Sequence, residues 1–181
     1  MKAAKLVYAA AYFLTSNADA LRFIGQFCAR ENKPFAFNLA AGFLLHTNYD
    51  DIMSCLEYAD YVFANQDEAS DFAVKQGLDR SDRLGAAKFI AQMKKANNRR
   101  PRVVMISQGP DPVLVVTSTA DEQEPSVLEI EVPSVPKERV IDTNGAGDSL
   151  SGGFLAGLLM GKSVPDSIKE GIALAQRIIA K

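Results

Sequence analysis

Residues 140–154, VIDTNGAGDSLSGGF, combine glycines, hydroxyls, amides and two aspartates in one turn-to-helix transition. Gly145 and Gly147 remove side chains where backbone N–H groups must come close to something, and a helical pattern over residues 145–160 follows at once. A helix N-terminus offers unpaired N–H donors and the positive end of the helix dipole. Together these suit an anion, phosphate above all. An ordinary cap accounts for one Asp or Asn, but not for the run Asn144-Gly145-Ala146-Gly147-Asp148. Asp148 is the odd member, because a carboxylate repels a resting phosphate. It fits if it takes the proton of a hydroxyl that attacks a phosphorus atom held by the same N–H groups. A helix cap is the competing reading.

Two other glycine motifs come close and fail. GAGDSL begins like a dinucleotide fingerprint but has Leu150 where the last glycine belongs. AGLLMGKS ends like a P-loop but has Ala156 where the first glycine belongs, and it closes a helix rather than following a strand. Lys162 there reads as a cation at a helix C-terminus. His46 is the only histidine and falls in a presumptive loop, so a histidine triad or zinc site has little support. The five basic residues of KKANNRRPR, residues 94–102, read as a solvated helix end, since a nucleic-acid patch would interleave aromatics.

The elements that must position the loop alternate between strand and helix. Residues 5–14 read as a buried first strand, and a helix capped at Ser16 or Asn17 follows it. Residues 33–39 form the next strand, started by Pro34. Residues 49–59 read as a helix, 60–65 as a short buried strand, and 66–78 as a helix stopped by Gly77. A further helix covers 81–97. Strands at 102–107 and 113–119 are joined by the turn QGPDP, and one more strand lies at 126–132. Helices at 145–160 and 164–180 close the chain. The acidic stretch 119–125 reads as a solvated loop. This alternation predicts an α/β fold with a mostly parallel sheet, whose ligands sit beyond the carboxyl ends of the strands.

The chain has 181 residues, 48% of them apolar, which suffices for one domain over 1–181. A net charge of -2 argues against nucleic acid as the main partner. Cys28 and Cys55 fit neither a zinc site nor a disulfide framework, and a cytoplasmic location, with the nucleus also open, is the default. Lys2, Lys5 and the tripeptide at 18–20 mimic a secretory leader, but a buried strand and helix explain them better, and the segment is too short to span a bilayer.

DTNGAGDSLSGGFLAGL resembles the signature of the ribokinase-like (PfkB) sugar and nucleoside kinases, and Asn144 gives it the adenosine-kinase form. VYAAAYFLTS, FAFNLAAGFL, YADYVFANQDEASDFA and RVVMISQGPDPVLV resemble, in order, other segments of that family, so the likeness covers nearly the whole chain. It implies a three-layer α/β sandwich and transfer of the ATP γ-phosphoryl group to the 5′-hydroxyl of adenosine. Asp148 would be the general base, and the N–H groups of Gly145, Ala146 and Gly147, beside Asn144, would meet the phosphoryl oxygens. Asn65 and Glu68 would order Mg2+ and its waters, although a helix cap and capping-box partner explain the same pair. Asp142, with Thr143, would serve a monovalent cation such as K+. Gln108 and Gly109 would lie near the ATP. Tyr12 or Phe13 would pack on adenine, core packing being the alternative.

The resemblance also implies departures. Members of the family are substantially longer, and the missing part would lie ahead of Met1, with the first half of the sheet, the lid and the ribose-binding elements. Ile172 stands where a histidine is usual, and Ala11 where a glycine is. Two other functions compete: a non-catalytic nucleotide-binding or interaction module pairing with another chain through an exposed sheet edge, and a related kinase of a sugar or another nucleoside.

Overall fold

The computed structural model describes residues 1–119 and 124–180. Of the acidic stretch expected to be a solvated loop, residues 120–123 lie outside the described residues. The chain forms two compact units, Met1–Ser107 with Leu114–Leu128, and Gln108–Val113 with Glu129–Lys181. No helix among the described residues is long and apolar enough to cross a membrane.

Six strands form one sheet in sequence order: β1 (Val7–Ala10), β2 (Phe35–Asn38), β3 (Tyr61–Asn65), β4 (Val103–Gln108), β5 (Asp111–Thr117) and β6 (Ser126–Ile130). The pairs β1–β2, β2–β3 and β3–β4 are parallel. The two residues between β4 and β5 permit only an antiparallel hairpin, so the sheet is mixed. Helices α1 (Leu14–Arg30), α2 (Leu44–Thr47), α3 (Tyr49–Leu56), α4 (Gln66–Lys75) and α5 (Arg83–Gln92) flank it in the first unit, giving the predicted α/β sandwich. Phe35, Ala36 and Phe37 are all fully buried, as are Val62 and Val104, so the central strands are covered on both faces. Edge strand β1 leaves Tyr8 exposed.

The register brings the carboxyl ends of the parallel strands to one rim. Ala10 pairs with Asn38, Asn38 with Phe63, and Asn65 with Ser107. This is where ligands bind in sheets of this type.

Several sequence expectations need correction. The first strand ends at Ala10 rather than Leu14, because Ala11–Phe13 turns as a 3-10 helix into α1. Asn17 does cap the main helix: its backbone is extended (φ -160) and its Oδ1 accepts the Ala20 N–H at 2.9 Å. His46 lies in α2 rather than in a loop.

The largest correction concerns the basic run, which is not a solvated helix end. Lys95 and Arg102 are buried. Lys95 pairs with buried Asp60 at 2.6 Å, and Arg100 reaches the other Asp60 oxygen at 3.1 Å. Arg102 Nη2 donates to Leu56 O (2.7 Å), Nε to Ala59 O (3.0 Å), and Nη1 to Ile90 O (2.6 Å) and Met93 O (2.8 Å). Those carbonyls close α3 and α5, where the dipole is negative, and Leu56 O and Ile90 O also accept the backbone N–H groups of Ala59 and Met93. One guanidinium therefore caps two helices. Burial pulls its pKa down to about 10, against the opposing pull of Asp60.

In the second unit α6 (Ala146–Leu159) packs closely on α7 (Val164–Ile179). A Cβ on Gly153 would lie 2.7 Å from Gly171 Cα, and one on Gly157 would lie 2.8 Å from Ser167 Oγ. The backbones touch because these residues are small. Lys162 lies beyond the end of α6 and pairs with Glu170.

Candidate active site

The second unit holds the loop that precedes α6. Asp142 accepts hydrogen bonds from the Asn144 N–H at 2.9 Å and from Asn144 Nδ2 at 3.3 Å, which folds residues 142–144 into a tight turn. Ala146 N–H closes on Thr143 O at 3.2 Å. Gly145 sits in the left-handed region at φ 78, a conformation costly for any residue with a Cβ, and takes the N-cap position without a side-chain cap. Thus Gly145 is the cap, and Asp148 is the third helical residue rather than the cap. The Gly147 and Asp148 N–H groups belong to the first turn and lack intrahelical acceptors. Gly147 faces open space: a Cβ added there meets no heavy atom within 4 Å. Packing among the described residues does not demand glycine at this position. Asp148 is solvent-exposed.

The end of the chain supports this loop. Ile141 N–H donates to Ile179 O at 3.0 Å, and Val140 and Ala180 form an antiparallel bridge. Gln176 Nε2 donates to Pro133 O. Gln108 and Gly109 lie at the β4–β5 turn, where Gln108 Nε2 donates to Pro112 O at 2.8 Å and Gly109 has φ 65.

The carboxyl rim lies in the first unit. Asn65 ends β3 and caps α4: its Oδ1 accepts the Asp67 and Glu68 N–H groups, both at 2.9 Å. Glu68 returns the contact, accepting from the Asn65 N–H at 2.9 Å and from Asn65 Nδ2 at 2.8 Å. The capping box foreseen in the sequence is therefore present. Glu68 is buried, and that burial pushes its carboxyl above the usual carboxylate range, partly offset by the Asn65 N–H.

Tyr12 and Phe13 follow β1 and are 53% and 44% exposed, so they are not core. Tyr12 meets an aromatic that sequence reasoning missed: the Phe43 ring, itself 54% exposed, has its centroid 6.0 Å away. Two exposed aromatic rings side by side suit a flat apolar ligand. Asn38, at the carboxyl end of β2, was also missed. Its place on the rim follows only from register, although a polar residue ending an apolar strand was a visible signal.

Among the described residues no three His, Cys, Asp or Glu side chains gather into a metal cluster. Mg2+ carried by a triphosphate takes most of its ligands from phosphate and water, and one carboxylate suffices. Each Glu68 oxygen accepts one N–H here, and an ionised carboxylate has about four acceptor positions, so it retains capacity. The residues fit such an ion.

Comparison with known proteins places the chain in a family. The pfkB family of carbohydrate kinases matches residues 1–181, and the chain belongs to that family. It is 34% identical over 178 residues to adenosine kinase 1 of Arabidopsis thaliana, covering 98% of this chain and 50% of the relative. It is 36% identical over 176 residues to the adenosine kinase of Schizophyllum commune, again covering 50% of that protein. Among solved structures, Anopheles gambiae adenosine kinase in complex with P1,P4-di(adenosine-5) tetraphosphate aligns with TM-score 0.93 and 33% identity, covering 99% of this chain and 52% of that one. Adenosine kinase from Schistosoma mansoni in complex with 2-fluoroadenosine aligns with TM-score 0.92 and 29% identity. The ribokinase-like fold is thereby established, and the chain spans about half the length of the curated relatives it matches.

Proposed function

We propose that this chain carries the phosphoryl-transfer machinery of an adenosine kinase, moving the ATP γ-phosphoryl group to the adenosine 5′-hydroxyl to give AMP and ADP in purine salvage. The observation that carries the reading is the loop at α6. Gly147 has open space where a Cβ would stand, the first-turn N–H groups are donors without intrahelical acceptors, and Asp148 follows on the same turn. Relatives at 34% and 36% identity bear the name adenosine kinase, which supports the nucleoside as acceptor.

In this reading Asp148 accepts the 5′-hydroxyl proton as the oxygen attacks phosphorus, and the bond to the ADP leaving oxygen breaks. The N–H groups of Gly145, Ala146 and Gly147 would meet the charge on the equatorial phosphoryl oxygens, the Ala146 N–H exchanging its bond to Thr143 O for the phosphoryl group. The Asp142–Asn144 turn holds that set in place, and exposed Asp142, with Thr143, suits a monovalent cation such as K+. Glu68, with Asn65, would hold Mg2+ through its waters, and that ion, when bound, neutralises charge on the triphosphate. Gln108 and Gly109 would border the ATP. Tyr12, with Phe13 and Phe43, would take the adenine ring. The surrounding compartment would be cytoplasmic or nuclear.

The test is AMP formation from adenosine and MgATP, with Asp148→Asn as the comparison. Activity that falls at least about a hundredfold in Asp148→Asn, with the fold intact, supports the reading. Undiminished activity in Asp148→Asn refutes the base assignment. A folded chain that is inactive in both forms but binds ATP or adenosine favours the non-catalytic module, and activity with a sugar in place of adenosine favours the related kinase.

A further inference from the structure

Ala40 holds a backbone conformation that an alanine rarely adopts. Its φ is 65, in the left-handed region, and the Ala41 N–H donates back to Leu39 O at 2.8 Å. That pattern is a γ-turn with positive φ, which is rare and strained. A glycine would adopt it freely, so something else must hold the alanine there.

The restraints are visible. Leu39 is fully buried and its N–H donates to Phe63 O at 2.9 Å, which ties the turn to β3. Asn38 Oδ1 accepts the Ala40 N–H at 3.0 Å, and Asn38 Nδ2 donates to Tyr8 Oη at 3.2 Å on β1. One amide therefore joins β1, β2 and the strained residue. Downstream, Leu44 and Leu45 are fully buried. Between the anchors Gly42 lies against Asp71, where an added Cβ would come within 2.1 Å of the Asp71 carboxylate. Asp71 is itself paired with Arg80 at 2.9 Å. Residue 43 follows directly, and its exposed ring is the partner of Tyr12.

We propose that Asn38 is a positioning residue: it holds Ala40 in its strained turn, and the turn sets Phe43 beside Tyr12, tilted by 55° to it, to make the aromatic wall of a slot for a flat ring. Strained backbone held in this way by its surroundings clusters at ligand sites, which points to a role in binding. The inference rests on the nucleoside reading for the identity of the ring, and it deepens that reading by naming what fixes the slot.

Three variants test it, each read in two ways on the full chain. The first readout needs no ligand: NOEs between Tyr12 and Phe43 ring protons. The second is the adenosine Kd by calorimetry. Asn38→Ala loses the acceptor for Ala40, whereas Ala40→Gly keeps the turn and relieves its strain. Asn38→Ala loses the ring NOEs and weakens adenosine by about five- to tenfold, while Ala40→Gly keeps the NOEs and the affinity and raises or leaves unchanged the melting temperature. Asn38→Asp keeps an acceptor for the Ala40 N–H and restores the NOEs.

Ring NOEs that survive in Asn38→Ala overturn the proposal, as do NOEs lost in Ala40→Gly or an Asn38→Asp chain no better than Asn38→Ala. If the unsubstituted chain binds no adenosine, the nucleoside reading fails, and the NOE pattern alone still decides whether Asn38 sets the slot. A drop in melting temperature for Ala40→Gly overturns the claim that the turn is strained.

Discussion

Asn65 and Glu68 cap each other across the first turn of α4: each accepts the other's backbone N–H at 2.9 Å, and Asn65 Nδ2 closes the ring onto Glu68 at 2.8 Å. The pair therefore has a structural role in any case, and a metal role must be separated from it. Glu68→Gln does so, because an amide oxygen can still accept the Asn65 N–H while the charge is gone. Glu68→Ala should lower stability by about 1 kcal/mol through loss of the box. Glu68→Gln should cost less than Glu68→Ala, since it removes a buried charge but can accept from only one of the two Asn65 donors, and it should weaken the Mg2+ dependence of AMP formation.

The same pair makes a pH prediction. Burial raises the folded pKa of Glu68 above its unfolded value. For an acid shifted upward, the added stability is fully present below the unfolded pKa and is lost as pH rises through the folded pKa. The stability of the unsubstituted chain minus that of Glu68→Gln should therefore fall as pH rises through that window. Urea midpoints from pH 4 upward would read it, and a difference that grows with pH would contradict the assignment.

How much of this was legible beforehand depends on how local each signal is. The Asn17 cap, the stop at Gly77, the Asn65–Glu68 box and the glycine loop are written within four or five residues of sequence, and all four are present. The basic run was misread because nothing local shows that Leu56, Ala59, Ile90 and Met93 present carbonyls to Arg102. Phe43 and Asn38 were missed for the same reason: their importance lies in neighbours more than thirty residues away in the case of Tyr12, and across three strands in the case of Asn38. The first strand was drawn too long because Ala11–Phe13 continues the apolar pattern while the backbone turns.

Arg102 invites a direct test of its capping role. Lysine keeps the charge but offers one ammonium where four carbonyls wait in a planar fork. Arg102→Lys should cost about 3 kcal/mol and Arg102→Ala about 3–5 kcal/mol, because buried acceptors at the ends of α3 and α5 lose their donor. Urea denaturation measures both. A lysine variant as stable as the original would show that charge near the helix ends is enough.

The α6–α7 contact separates two kinds of helix glycine. A Cβ on Gly171 would lie 2.3 Å from Leu150 O, a backbone atom that cannot move without shifting α6. Gly171→Ala should therefore destabilise by about 1–3 kcal/mol. Gly152 meets nothing within 4 Å, and Gly152→Ala should gain about 0.5–1 kcal/mol as a helix-interior alanine. Comparing their thermal midpoints tests the packing directly, and equal effects would argue that the helices are further apart than the geometry implies.

The two loop glycines should fail in opposite ways. Gly145 stands at φ 78, so Gly145→Ala strains the backbone and should cost about 1–2 kcal/mol of stability. Gly147 is helical and faces open space, so Gly147→Ala should leave the melting temperature within a degree or two while placing a methyl where phosphoryl oxygens approach the N–H groups. If the loop is an oxyanion cradle, Gly147→Ala should lower AMP formation by about a hundred- to a thousandfold, the scale of losing one preorganised donor. Measuring stability and AMP formation on both variants separates a loop shaped for its own fold from one shaped for a ligand. A Gly147→Ala chain that is stable and fully active would remove the phosphate from this loop.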